Sequence, residues 1–372
     1  MQLTIERSAL LTALGRVQSV VERRNTIPIL SNVQLAAEAG ALDLTATDLD
    51  LAVVAQVATD IGQSGATTTP AHTLYDIVRK LPEGAQVELK LGESDGRLAL
   101  RAGRSRFMLP CLPREDFPAI AEGGLPTEFS IGAPELRRLI DKTRFAVSTE
   151  EMRYYLNGIY LHHAEHEGVS MLRAVATDGH RLARVDTPLP EGAAGMPGII
   201  VPRKAVNELR KLVEDAQDPI SIALSDTKIR FSLGATVLTT KLIDGTFPDY
   251  ARVIPEGNDK VLEADAKVLS AAVDRVSTMS TDKSRAVKLE VAQGKLVVSA
   301  NSPESGSAVE ELAAGYQGEP LESGFNFRYL LDIAGQIDGD VARFTMSDAV
   351  SPTIVEDGGD TASLFILMPM RV

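Results

Sequence analysis

The sequence predicts an α+β fold made of three tandem copies of one domain, each with two helices and about eight strands. Three observations carry this: a strand-then-helix pattern written three times, a chain long enough for three cores, and alternating strand patterns after each helix. Leu3 and Ile5 alternate as in a half-buried strand. After Ser8, the expected N-cap, the apolar residues Leu10, Ala13, Leu14, Val17 and Val21 take helical spacing. The switch recurs at Phe129–Val147 and Leu262–Met279. Leu3, Leu10, Ala13 and Leu14 correspond to Phe129, Leu136, Leu139 and Ile140 at an offset of 126, and these to Leu262, Leu269, Ala272 and Val273 at a further 133. One offset kept across both a strand and a helix marks an internal repeat.

At 372 residues the chain exceeds one ordinary core, whereas three domains of about 124 residues sit near the commonest domain size. The first repeat continues with strands over Ser31–Leu35, Ala41–Thr47 and Asp50–Val57, with a turn at Glu38–Gly40. The second gives Asn157–His162, Met171–Thr177 and Arg181–Asp186, and the third Ala286–Val291 and Lys295–Ala300. A second helix follows in each, entered at Pro70, Pro202 and Phe325 and marked by Leu74, Val78, Val206, Leu209, Leu330 and Ile333. Closing strands span Val87–Leu91 and Arg97–Leu109, Ile220–Leu224 and Lys228–Lys241, and Arg343–Met346 and Ser363–Met368. Phe117-Pro118, Phe247-Pro248 and Met368-Pro369 end the three units. Turn-rich stretches near 122–127 and 254–260 then set the domains at 1–125, 126–254 and 255–372.

Composition places the chain among water-soluble globular proteins, with 44% hydrophobic and 24% charged residues. No apolar run approaches the roughly 18 residues that span a bilayer, and the opening residues lack the pattern of a signal peptide. The lone Cys111 cannot close an internal disulfide, which suits a cytoplasmic location; a small, at least half-buried side chain is its plainer role. A net charge of −13 argues superficially against nucleic acid. Its distribution argues the other way. The six predicted helical segments (5–24, 71–81, 133–147, 202–213, 264–277 and 325–337) hold 17 Lys and Arg against 9 Asp and Glu. Helices are basic and the remainder acidic, although helices as such favour Glu as readily as Lys.

Enzyme signatures are missing. There is no phosphate-binding GxxxxGK[ST] loop and no GxGxxG after a strand, and HExxH and CxxC do not occur. His162, His163, His166 and Glu167 form the one metal-like cluster, in an expected hairpin turn for which solvation is the simpler reading. Thr177-Asp178-Gly179-His180-Arg181 reads first as a hairpin turn. Two rival readings stay open: a metal-dependent enzyme using those His residues and Glu167, and a repeat scaffold that binds proteins only.

Five motifs carry a family resemblance: the runs 153–158 (RYYLNG), 176–182 (ATDGHRL), 201–204 (VPRK), 247–250 (FPDY) and 368–372 (MPMRV). Together with 103–107 (GRSRF) and 81–84 (LPEG), they make the chain similar over its whole length to the bacterial DNA sliding clamps, the beta subunits of replicative DNA polymerase III. The resemblance implies a head-to-tail homodimer closing a six-domain ring, with helices inside and sheets outside. It implies a non-enzymatic processivity factor around double-stranded or primed DNA, with no cofactor and no membrane, in the cytoplasm at the nucleoid. Phosphate contacts of that kind carry no sequence information and weaken with salt.

The resemblance also implies residue roles. Arg24, Tyr154 and Tyr155 match family positions at DNA, with Arg79, Arg137, Arg203 and Lys204 as further candidates. His72-Thr73 stands where the family often has two basic residues. A cleft between the second and third domains would take a short linear peptide with a Gln and aliphatic or aromatic anchors. The polymerase III catalytic subunit, an ATP-dependent clamp loader, other polymerases and repair proteins would bear that peptide. The matching cleft positions are Arg153, Tyr155, Leu156, Thr177, Gly179, His180, Arg181, Leu182, Pro248, Val253, Tyr329, Val350, Ile366, Met368, Pro369, Met370 and Arg371. Arg and His are expected as polar handles at the rim, Met as an adaptable wall, and Pro352 replaces a Ser found in some relatives. At the seam between copies, Lys80, Arg104, Arg106 and Phe107 should meet Thr278, Met279 and Glu304.

Overall fold

The computed structural model describes residues 1–92, 96–119, 123–214, 216–280, 285–303 and 306–371. The first repeat holds β1 (Gln2–Glu6), α1 (Arg7–Val17), β2 (Asn32–Glu38), β3 (Ala41–Thr47), β4 (Leu51–Ala58), β5 (Asp60–Gln63), β6 (Gly65–Pro70), α2 (Ala71–Lys80), β7 (Gln86–Leu91), β8 (Arg97–Ala102) and β9 (Ser105–Pro110). The second holds β10 (Thr127–Ile131), α3 (Ala133–Arg144), β11 (Gly158–His166), β12 (Val169–Thr177), β13 (Arg181–Pro188), β14 (Ile199–Pro202), α4 (Arg203–Leu212), β15 (Ile220–Leu224), β16 (Lys228–Leu233) and β17 (Thr236–Lys241). The third holds β18 (Lys260–Asp265), α5 (Ala266–Ser277), β19 (Ala286–Ala292), β20 (Lys295–Ser302), β21 (Gly306–Ala313), β22 (Leu321–Asn326), α6 (Phe327–Ala334), β23 (Val341–Met346), β24 (Thr353–Asp357) and β25 (Asp360–Leu367).

The expected repeat is present at its predicted positions. Leu3, Phe129 and Leu262 are buried on the opening strands, and Leu10, Leu136 and Leu269 at the same turn of α1, α3 and α5. Each such leucine stabilises its core by about 1.5–3 kcal/mol through the apolar area it takes from water. Details differ. The cap of α1 is Glu6, not Ser8: its carboxylate accepts from the backbone N–H of Ser8 and Ala9. A carboxylate at that end is doubly favoured, because it satisfies free donors and opposes the helix dipole. The helix expected over 5–24 ends at Val17 and continues as one 3-10 turn, Gln18–Val20. Long closing segments split into hairpins at Gly103-Arg104 and Gly234-Ala235, where Gly103 and Gly234 have φ of 56° and 55°. Strands β5, β6, β14, β21, β22 and β24 carry weak periodicity and are held by the partners beside them. The histidine cluster lies on β11 rather than in the turn, which is made by Glu167 and Gly168.

Contacts divide the chain into two compact units, and the second repeat contributes to both. Unit 1 comprises 1–137, 190–197 and 204–242; unit 2 comprises 138–189, 198–203 and 243–372. In unit 1 a five-stranded sheet runs β5-β1-β7-β8-β9, and an eight-stranded sheet runs β10-β15-β16-β17-β4-β3-β2-β6. The second joins four strands of the first repeat to four of the second through β17 and β4, from Thr236↔Ala55 to Thr240↔Leu51. In unit 2 an eight-stranded sheet runs β14-β11-β12-β13-β25-β24-β23-β18, and a four-stranded sheet runs β21-β20-β19-β22. There β13 and β25 make the equivalent junction, from Arg181↔Leu367 to Val185↔Ser363. Two sheet edges that would otherwise stay open are closed this way, whereas β9 and β21 each terminate their own sheet.

Candidate functional site

Unit 2 holds most of the predicted cleft positions in one place. The β12–β13 turn is built by two short side chains: Thr177 Oγ1 accepts from the Gly179 N–H at 3.1 Å and donates to the Arg181 carbonyl at 2.7 Å. Asp178 Oδ1 accepts from the N–H groups of His180 and Arg181 at 2.9 and 3.0 Å. Gly179 is required twice over. Its φ is +87°, and a Cβ there would meet Arg153 Nη1 at 2.8 Å. The C-terminal segment is laid beside this turn by main-chain bonds, from Met368 N–H to the His180 carbonyl at 2.9 Å and from Met370 N–H to the Gly324 carbonyl at 2.8 Å.

Beneath the turn lies an apolar floor of Leu156, Val175, Leu182, Ile200, Phe247, Leu364 and Ile366, with Tyr155, Tyr160, Tyr250 and Ile254 packed against it. Leu156, Leu182 and Ile366 are therefore core residues that shape the cleft from below. Val253, Met368 and Val350 are exposed, at 48%, 38% and 76%. Pro248 and Arg371 are exposed, Pro369 and Met370 half-buried. Exposed apolar groups and a buried apolar cluster in the same unit suit an extended peptide with side-chain anchors.

Arg181 departs from its expected role as a polar handle at the rim. Its side chain is only 10% exposed. The guanidinium donates to Asp178 Oδ2 at 3.1 Å, to the Phe145 carbonyl at 2.6 Å and to Asp332, and it lies over the Tyr329 ring at 4.3 Å. It holds the cleft together rather than offering free donors to a ligand. His180 is exposed and stacks on the other partner of that pair, Tyr329, at 6.2 Å.

A polar network that the sequence reading missed backs one wall. Arg173, buried, makes two bonds to Asp186 at 2.6 and 2.7 Å, and its Nη1 donates to the Tyr250 hydroxyl at 3.3 Å. His162 Nδ1 lies 2.7 Å from the His163 carbonyl, which can only accept, so the proton sits on Nδ1. Nε2 then accepts from the Tyr250 hydroxyl at 3.0 Å. Burial pushes the His162 pKa down, and the nearby Arg173 cation adds to this. Burial opposes the charge of Arg173 too, but the bonds to Asp186 outweigh it and raise its pKa. Tyr160 stacks on His162 at 4.6 Å and on Phe247 at 4.8 Å, completing the wall. Tyr250 lies within the 247–250 run (FPDY) and Tyr160 within the strand expected over Asn157–His162, whereas nothing local pairs Arg173 with Asp186.

The expected DNA contacts divide into two groups. Arg24, Arg79 and Arg203 are exposed, Arg79 in a surface pair with Asp76 at 3.2 Å, and Tyr154 is 54% exposed, set edge-on to Tyr155. Arg137 and Lys204 are already engaged. Arg137 donates through Nη2 to the Val213 carbonyl at 2.8 Å and to the Ala216 carbonyl at 3.4 Å, capping the end of α4. Lys204 pairs with Asp48 at 2.5 Å and Glu22 at 3.1 Å; burial opposes its charge, but these carboxylates raise its pKa. His72 is similarly occupied, its ring nitrogens 2.9 Å from Gln18 Oε1 and from the Val21 carbonyl.

Of the expected seam residues, Lys80, Arg104 and Arg106 are exposed and Phe107 is half-buried on β9. Thr278 is exposed and Met279 half-buried just after α5, and Glu304 lies outside the described residues. The sequence reading did not include Met108 and Val309, exposed at 52% and 70% on the two terminal strands. Among the described residues no group of three or more His, Cys, Asp or Glu is placed to hold a metal ion, and no described helix is long and apolar enough to cross a membrane.

Tandem strand–helix repeats whose sheets join across repeat boundaries, with an apolar cleft at one junction, define a clamp-type architecture. Family models for the N-terminal, central and C-terminal domains of the DNA polymerase III beta subunit match residues 1–121, 130–249 and 251–371. A beta sliding clamp of Caulobacter vibrioides is 55% identical over 372 residues, covering 100% of both chains. That of Escherichia coli is 40% identical over 374 residues, again covering 100% of each. A crystal structure of the Caulobacter crescentus beta sliding clamp, with polyethylene glycol at a putative beta-motif tethering region, superposes with a TM-score of 0.98 at 55% identity, covering 100% of this chain and 99% of that one. The sliding clamp of Bartonella birtlesii bound to griselimycin gives 0.97 at 54% identity, with 100% of each chain covered. The chain belongs to the DNA polymerase III beta subunit family, the beta sliding clamps.

Proposed function

We propose that the chain works as a ring-shaped processivity factor: two copies join head to tail around duplex DNA and tether replication and repair proteins to it. The observation that carries this is the count of strands at the repeat junctions. Each unit closes one junction as four strands plus four, leaving a five-stranded sheet ending in β9 and a four-stranded sheet ending in β21. Pairing β9 of one copy with β21 of another would repeat the same junction, and a head-to-tail contact used twice closes a two-fold ring. Three junction-type sheets per copy then leave no open edge of this kind.

Arg24, Arg79, Arg203 and Tyr154 would make interchangeable phosphate contacts, without reading bases, so the protein is held by enclosure and is free to slide. Arg137 and Lys204 support the fold rather than DNA on this reading. The unit 2 cleft would take linear peptides from the replicative polymerase, an ATP-dependent loader and repair proteins. The sequence carries no phosphate-binding loop, so a separate loader would supply the ATP-driven opening of the ring. The domains would run 1–125, 126–254 and 255–372. Light scattering should give a dimer at micromolar concentration, and loaded protein should stay on circular primed DNA but leave a linear control. A monomer, or equal loss from both DNAs, would overturn the proposal.

A further inference from the structure

We infer that Arg184, on β13, is a specificity-determining residue of the unit 2 cleft: its guanidinium takes a carboxylate carried by the bound peptide, on an acidic side chain or at the C-terminus. This rests on reading the unit 2 cleft as a peptide site, and adds a polar requirement on the ligand. Sheet register places the side chain. Arg184 lies directly opposite Val175 on β12 and Leu364 on β25, and residues opposite each other on neighbouring strands share a face. Val175 and Leu364 both belong to the apolar floor, as does Leu182 two residues before Arg184. A cation thus interrupts an apolar cluster. Arg184 is half-buried, and its Nε is sealed from solvent with no hydrogen-bond partner.

Buried donors without an acceptor are uncommon, because each costs the desolvation of the group with no bond in return. The acceptors around Arg184 are already engaged. Both oxygens of Asp186 are taken by Arg173, and the Tyr250 hydroxyl is shared between Arg173 and His162. Glu356, on β24, is the other carboxylate close enough to favour the cation, but among the described residues Arg184 makes no hydrogen bond or ion pair with it. Burial and the Arg173 cation push the Arg184 pKa down, and Asp186, Tyr250 and Glu356 offset this only in part. The donors themselves name the occupant. A guanidinium presents a planar fork that matches a carboxylate through two parallel bonds, and a negative charge also compensates the half-buried cation. A peptide with a carboxylate next to its apolar anchors meets both demands of this face, the apolar cluster and the unpaired donor.

The test measures, by titration calorimetry on the full chain, the binding of three peptides: acetyl-Gln-Leu-Gln-Leu-Phe-amide, the same peptide with Glu as its third residue, and the neutral sequence ending in a free carboxylate. At least one of the two carboxylate peptides should bind about tenfold more tightly than the neutral one, and which of them does so identifies the source of the charge. Arg184→Met removes a half-buried unpaired cation and so should fold; in it the three peptides should bind with equal affinity. Arg184→Gln, which stays polar, gives the same readout should the Met variant fail to fold. Equal affinity of all three peptides for the unaltered chain, or a carboxylate preference that survives loss of Arg184, overturns the assignment and leaves the cleft reading standing. Failure of all three to bind at millimolar concentration overturns the cleft reading and this assignment with it.

Discussion

The guanidinium of Arg181 lies 4.3 Å above the ring of Tyr329 while its nitrogens reach Asp178, Asp332 and the carbonyl of Phe145. One side chain thus ties the β12–β13 turn to α6 and to the loop after α3, and the cleft floor is held in shape by it. Arg181→Ala should destabilise unit 2 by about 3 kcal/mol, because it leaves carboxylates and a carbonyl with no donor. Arg181→Lys should rescue little, since an ammonium cannot stack flat and donate in three directions. Urea unfolding of the variants checks both.

The His162–Tyr250–Arg173 network makes stability depend on pH. His162 is neutral and its folded-state pKa is lowered, so the unfolded chain takes up a proton first as pH falls. The stabilisation is full above the unfolded value of about 6.5 and is lost as pH drops from there toward the lower folded value. Between pH 7.5 and 5.5 the melting temperature should fall, and the fall should be shallower in His162→Gln. Equal slopes in the two proteins would remove His162 as the cause.

At the proposed seam, Val309 is 70% exposed on β21 and touches little within its own copy. Val309→Asp should leave the fold unchanged by circular dichroism and raise the dimer dissociation constant about tenfold, equivalent to about 1.4 kcal/mol. Sedimentation velocity across a dilution series measures it.

Arg24, in the loop that follows the 3-10 turn, and Arg137, on α3, separate two roles of an arginine predicted on a basic helix. Arg24→Ala should reduce the salt dependence of DNA binding by close to one charge and leave stability alone. Arg137→Ala should do the reverse, lowering stability by about 1–2 kcal/mol through the uncapped carbonyls after α4. DNA affinity from 50 to 200 mM salt, set beside thermal melts, distinguishes them.

Removing the chain from Met368 onward deletes one exposed wall of the unit 2 cleft and the bonds to His180 and Gly324. Peptide binding should be abolished while the dimer persists, because β9 and β21 are untouched. Fluorescence anisotropy with a labelled peptide and light scattering give the two readouts.

What the amino-acid order determined alone was everything with a local period. Leu3, Leu10 and Leu14 and their counterparts sit where 2-residue and 3.6-residue spacing put them, and two helices per repeat follow. The Thr177-Asp178-Gly179 turn was equally readable, since its bonds span four residues. The tertiary structure decided which strand lies beside which. β17 pairs with β4 and β25 with β13 across repeat boundaries, so packing units and repeats do not coincide. It also decided which charges are spent: Arg181, Arg137 and Lys204 look like free cations in sequence, yet each is engaged by groups far along the chain. Local spacing records only neighbours within a turn or a hairpin. The electrostatic partner of a long, flexible cation is chosen by whatever the fold brings within 3 Å of it.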